Sequence, residues 1–142
     1  METKMGKPKI LVVDDERDMR IFVSTVAETL GFEAIAVQDG AEALLKAGSN
    51  PPALVILDVM MPKIDDGIQT YRQFRTDPSL SHIPIIMLSA IAEKTFLHSI
   101  KMLSPQQGPQ LPEPEAYMEK PPDANELSRL ISALLPADSQ TF

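Results

Sequence analysis

Apolar residues in this chain fall in short runs that alternate with longer stretches of helical spacing. Lys9–Val13 is a β-branched and leucine run ended by carboxylates, which reads as a buried strand. From Asp18 to Leu30, the residues Phe22, Val23, Val26, Ala27 and Leu30 share one helix face, and Gly31 follows as the stop. Glu33–Val37 reads as a second strand, with Gln38-Asp39-Gly40 as its exit turn. Ala41–Ala47 is a short helix ended by Gly48, and Leu54–Leu57 is a third strand that again ends on an aspartate. Ile68–Arg75 has helical spacing, closed by Asp77-Pro78. Pro84–Leu88 reads as a fourth strand, Glu93–Leu103 as a helix and Ala116–Glu119 as a fifth strand. Asn125–Leu135 is a final amphipathic helix, stopped by Pro136.

Strict alternation of strands and helices implies right-handed crossovers, hence an α/β, doubly wound, five-stranded parallel sheet flanked by five helices. The strands are continuously apolar, as strands covered on both faces should be. Ligands of such sheets bind beyond the carboxyl ends of the strands, at the switch point of the strand order. The residues immediately after each strand therefore carry the functional reading.

Composition narrows the classes. A length of 142 residues fits one domain, and a 44% apolar content fits a folded one. With 20 acidic against 13 basic residues the net charge is −7, which argues against nucleic-acid binding. The absence of cysteine removes disulfides, thiolate metal sites and a cysteine nucleophile together. The polar, basic start lacks the apolar core of a signal peptide, and no stretch is long enough to span a membrane. A cytoplasmic protein with no membrane partner is the expectation.

After the first strand come Asp14, Asp15 and Glu16; after the third, Asp58; after the fourth, Ser89 and Ala90; after the fifth, Lys120 and Pro121. Close carboxylates raise one another's pKa unless a cation joins them. A hard divalent ion with oxygen ligands, Mg²⁺ or Mn²⁺, answers that requirement. One carboxylate can then act as a nucleophile toward phosphorus, with a lysine and a hydroxyl neutralising the transferred oxygens. Blander readings exist for single residues. Asp14-Asp15 can be a turn, Ser89 a satisfied loop hydroxyl, and Lys120 a solvated lysine. Glu16 and Asp18 are read as serving the helix start. His82 and His98 are read as surface or packing residues. Most methionines, among them Met60, Met61, Met87, Met102 and Met118, are read as core filling.

Four motifs taken together carry a resemblance: ILVVDDE at 10–16, LVILDVMMP at 54–62, IIMLSA at 85–90 and YMEKP at 117–121. Over roughly residues 8–135 the chain resembles the receiver domain of two-component response regulators, a flavodoxin-like fold with strand order 2-1-3-4-5. The resemblance implies that Asp58 is the phosphoacceptor, and that Asp15, Asp14 and Asp58 with the backbone carbonyl of Met60 hold the Mg²⁺. Ser89 and Lys120 would meet phosphoryl oxygens, Ala90 would leave them room, and Pro121 would aim Lys120 through a cis bond. Tyr117 would be the switch aromatic, moving with Ser89 to change the face formed by helix 4, strand 5 and helix 5. The donor would be a histidine kinase or histidine phosphotransfer protein, and the output an unidentified protein. The resemblance implies a monomer or a phosphorylation-dependent dimer. It also implies a signalling domain rather than an enzyme, catalysing only its own phosphorylation and dephosphorylation.

The chain departs from the family in three places. Asp66 stands where the family commonly has glycine, with Gly67 one later, so a one-residue adjustment of that loop is expected. Asp65 and Asp66 also add charge expected near the site. Met60 and Ile91 occupy the positions that tune hydrolysis in the family; neither can orient water, so a long-lived phosphoryl group is expected. Residues 104–115, with four prolines, insert between helix 4 and strand 5. They are expected to be extended, either as a tolerated surface insertion or as a partner-specific element. Residues 1–7 are expected to be flexible and 136–142 to be a tail too short for an output module. Two alternatives stand beside a self-contained receiver: a receiver cut from a longer regulator or hybrid kinase, and a haloacid-dehalogenase-like phosphatase. The latter places its nucleophile after the first strand in a DxD pattern, which Asp14-Asp15-Glu16 lacks.

Overall fold

A computed structural model of the protein describes residues 7–61, 63–102 and 110–135. The segments 1–6 and 136–142, residue 62, and residues 103–109 with the whole first half of the proline-rich insertion lie outside the described residues. Five strands and five helices alternate: β1 (Lys9–Val13), α1 (Arg17–Thr29), β2 (Glu33–Val37), α2 (Gly40–Ser49), β3 (Leu54–Leu57), α3 (Ile64–Thr76), β4 (Ile85–Ser89), α4 (Glu93–Lys101), β5 (Ala116–Glu119) and α5 (Ala124–Leu134). All pairings are parallel, in the order β2-β1-β3-β4-β5. The chain leaves β1 for one side of the sheet and returns for β3 on the other, so the switch point lies between β1 and β3.

The sheet separates two cores. On one face Val23, Val26 and Ala27 of α1 and Leu127 and Ile131 of α5 pack on Ile10, Val12, Leu54 and Ile56. On the other, Ala43 of α2, Tyr71 and Phe74 of α3 and Phe96 and Ile100 of α4 pack on Leu11, Val13, Val55 and Leu57. Alternate residues of one strand thus serve opposite cores, which is why β1, β3 and β4 had to be apolar throughout. Among the described residues no helix is long and apolar enough to cross a membrane.

Several element ends differ from the sequence reading, each for a local reason. Gly31 ends α1 as expected, with φ at +97°. Gly48 does not end α2; the helix runs on to Ser49, and Asn50 still donates to the carbonyl of Lys46 at 3.0 Å. α3 starts four residues early because Asp66 caps it, accepting from the Lys63 N–H at 3.2 Å. The carboxylate of Asp66 is therefore committed to that helix start. Gly67 lies in the first turn of α3 rather than in a loop. A β-carbon there would collide with the backbone of Val59, so the close approach that follows β3 requires glycine at 67. Met61, Met87 and Met118 are buried, but Met102 is exposed and fills no core.

The described part of the insertion is not a free loop. Leu111 is buried in the α2–α4 core. Tyr71 donates to the carbonyl of Pro112 at 2.6 Å, and Arg75 donates to the Tyr71 hydroxyl at 3.1 Å and to Glu115 at 2.6 Å. Glu115 also accepts from the Ile85 N–H at 2.7 Å. Residues 110–115 thus lie against α3 and the start of β4.

Candidate functional site

Strand register brings the acidic residues together. Val13 pairs with Leu57, so Asp14 and Asp58 leave adjacent strands at the same level. Ser89 pairs with Glu119, so Lys120 leaves the sheet level with Ala90. Backbone bonds lock the exits: Asp58 donates to Val13 at 2.9 Å, and Lys120 donates to Ser89 at 2.8 Å. The Lys120–Pro121 bond is cis.

Both inner carboxylates are buried, Asp14 and Asp58 each at 3% exposure. Asp14 accepts from the Glu16 N–H at 2.9 Å and Asp58 from the Met60 N–H at 3.0 Å. The ammonium of Lys120 reaches three carboxylates, Glu16 at 2.9 Å, Asp14 at 3.0 Å and Asp58 at 3.2 Å. Burial pushes the carboxyls of Asp14 and Asp58 above the usual range, although the Glu16 and Met60 amides and Lys120 work against it. Burial lowers the Lys120 ammonium, but the hydrogen bonds to Glu16 and Asp14 and the charge of Asp58 outweigh it and raise it overall.

Asp14, Asp15 and Asp58 each offer an oxygen within 4.8 Å of the others, two of them buried and Asp15 exposed. An oxygen-only donor set of this kind, with surplus negative charge held out of water, fits a hard divalent cation. Asp65 and Asp66, expected to add charge near the site, are not in that cluster. An open cavity of about 190 Å³ lies above it, lined by Asp15, Glu16, Asp58, Met60, Ala90 and Lys120. Lys120 is the one basic residue among those that line it.

Ser89 is fully buried, and its hydroxyl accepts from the Ile91 N–H at 3.2 Å. Tyr117 is partly buried and donates to the Ile91 carbonyl at 2.6 Å. Burial, followed by the nearby charge of Glu119, pushes the Tyr117 hydroxyl up to about 12. Its ring lies 5.7 Å from that of Phe96, which meets Tyr71 edge-on at 5.5 Å. Ile91 packs against the apolar core of the α2–α4 side, whereas Met60 lines the cavity. His82 and His98 are exposed, and neither lines the cavity.

One participant was assigned differently from the sequence. Glu16 occupies the N-cap position of α1 but makes no side-chain cap; its carboxylate holds Lys120 instead. A solvent-facing glutamate beside two aspartates carries no mark of this, since its partner is 104 residues away.

Residues 10–104 match the model of the family described as "Response regulator receiver domain". Over 127 residues the chain is 37% identical to the alkaline phosphatase synthesis transcriptional regulatory protein PhoP of Bacillus subtilis, covering 89% of this chain and 48% of that protein. It is 46% identical over 87 residues to the "Probable transcriptional regulator ycf27" of Pyropia yezoensis, covering 61% of this chain and 34% of that one. The chain thus spans between about a third and a half of these curated relatives. The chemotaxis response regulator CheY4 of Vibrio cholerae superposes with a TM-score of 0.74 at 26% identity, over 91% of this chain and 99% of that one.

Proposed function

The chain belongs to the response regulator receiver domain family, and from that premise we propose that Asp58 accepts a phosphoryl group from a phosphohistidine of a histidine kinase or phosphotransfer protein. The observation that carries this reading is the position of Lys120, whose ammonium lies within 3.2 Å of the carboxylates of Asp14 and Asp58 at the switch point of the sheet. An oxygen of Asp58 attacks phosphorus, the O–P bond forms as the donor's P–N bond breaks, and the electron pair stays on the donor's imidazole, which takes up a proton. Asp14, Asp15, Asp58 and the carbonyl of Met60 are the residues that would hold Mg²⁺. The ion would supply positive charge against the phosphoryl oxygens. Lys120 supplies a second positive charge, Ser89 a hydrogen bond, and the small Ala90 leaves space.

The signal is a change of surface rather than a product. Ser89 releases the Ile91 amide to turn toward the phosphoryl group, and Tyr117 leaves the Ile91 carbonyl to follow it. The equilibrium between the two arrangements exists before phosphorylation and is shifted by it. The phosphatase alternative is disfavoured because the buried aspartate facing Lys120 and the cavity follows β3, and no DxD follows β1.

Incubation with acetyl phosphate and Mg²⁺ separates the two. A receiver takes up at most one phosphoryl group per chain and turns over no phosphoester. Sustained release of phosphate from small phosphomonoesters would overturn the proposal.

A further inference from the structure

We infer that Glu16 is a positioning residue for Lys120: it is the lysine's resting counter-ion, and the arriving phosphoryl group displaces it. The inference rests on the receiver reading above. Three observations carry it. First, Glu16 sits at the N-cap of α1 with an extended backbone, yet its side chain caps nothing and turns to Lys120. Second, of the three carboxylates on Lys120, Asp14 and Asp58 belong to the cluster that fits a cation, and Glu16 does not. A bound cation would compete with the ammonium for Asp14 and Asp58, and Glu16 is the one partner outside that competition. Third, the Lys120 side chain is 11% exposed while that of Glu16 is 61% exposed, and Glu16 lines the cavity mouth.

The buried end of the pair is fixed and the exposed end is free to leave. Glu16 thus holds the ammonium beside Asp58 in the resting state and competes with a phosphoryl oxygen for it. An ion pair with one exposed partner shifts an equilibrium by about fivefold.

The test compares initial phosphorylation rates by acetyl phosphate at fixed pH and saturating Mg²⁺. Glu16→Gln frees the lysine and is expected to run about two- to fivefold faster than wild type. Glu16→Asp keeps the charge but shortens the reach, and is expected to be faster as well. In a Lys120→Ala background Glu16→Gln is expected to give no gain. A metal-free readout accompanies these: the side-chain nitrogen resonance of Lys120 shifts in both Glu16 variants, with thermal stability unchanged. Three results would overturn the inference. Glu16→Gln is no faster; Glu16→Asp behaves as wild type, which assigns the effect to charge alone; or the gain persists without Lys120. Absence of any phosphorylation in the wild type would instead count against the receiver reading itself.

Discussion

Tyr71 of α3 donates its hydroxyl proton to the carbonyl of Pro112, 41 residues further along the chain, at 2.6 Å. The contact turns half of a proline-rich insertion into a packed part of the domain, with Leu111 buried beside it. Tyr71→Phe leaves the ring in place and removes two hydrogen bonds, the one given to Pro112 and the one received from Arg75, so a loss of about 1–3 kcal/mol is expected. Urea denaturation measures it; a variant as stable as wild type would mean that the arm is not held there.

Glu115 gives the same contact a pH signature. Burial pushes its carboxyl up, but the Ile85 amide and Arg75 outweigh this and hold it below the ordinary value of 4.5. A depressed carboxyl contributes stability above its unfolded pKa and loses it as pH falls through the folded one. The stability gap between wild type and Glu115→Gln is therefore expected to be present at pH 7 and to close below pH 4.5. Thermal denaturation across that range reads it directly, and a gap independent of pH would refute the pairing.

The buried carboxylates behave in the opposite sense. Asp14 and Asp58 have raised folded pKa values, so in metal-free protein at neutral pH their charge costs stability. Asp58→Asn is expected to stabilise metal-free protein by about 0.5–2 kcal/mol, the usual exchange between function and stability. Mg²⁺ is expected to raise the Tm of wild type and to do little for Asp58→Asn. An Mg²⁺ response equal in both would remove Asp58 from the ion's ligands.

Gly67→Ala tests how the first turn of α3 packs on the exit of β3. The added β-carbon meets the Val59 backbone, which cannot move without disturbing the strand exit that carries Asp58. A destabilisation of about 1–3 kcal/mol is expected, together with slower phosphorylation. Gly48→Ala, with open space around it on α2, serves as the control and is expected to be neutral or stabilising.

Phosphoryl lifetime depends on what covers the cavity. Met60 lines it and Ile91 packs into the core, so Met60→Asn is expected to shorten the half-life more than Ile91→Glu does. Following the decay of the adduct in each variant ranks the two positions; equal effects would contradict the assignment.

The strand-end chemistry was readable because alternation alone places Asp14, Asp58, Ser89 and Lys120 on one edge, whatever their side chains do. Apolar runs in β1, β3 and β4 marked the strands without ambiguity. The first turn of α3 was not readable from spacing, because Asp65, Asp66 and Gly67 show no apolar period and are set by capping and by the approach to Val59. Glu16 and the insertion escaped for a different reason. Their partners, Lys120 for one and Tyr71 and Arg75 for the other, are distant in sequence, and exposed carboxylates and proline-rich segments carry no periodic signal.

The central claim is that Asp58, held against Lys120 and the Asp14–Asp15 pair, receives the phosphoryl group. Intact-protein mass after treatment with acetyl phosphate and Mg²⁺, in wild type beside Asp58→Ala, tests it most directly. One added phosphoryl group on wild type and none on Asp58→Ala is the predicted result; an adduct of equal yield on Asp58→Ala would contradict it.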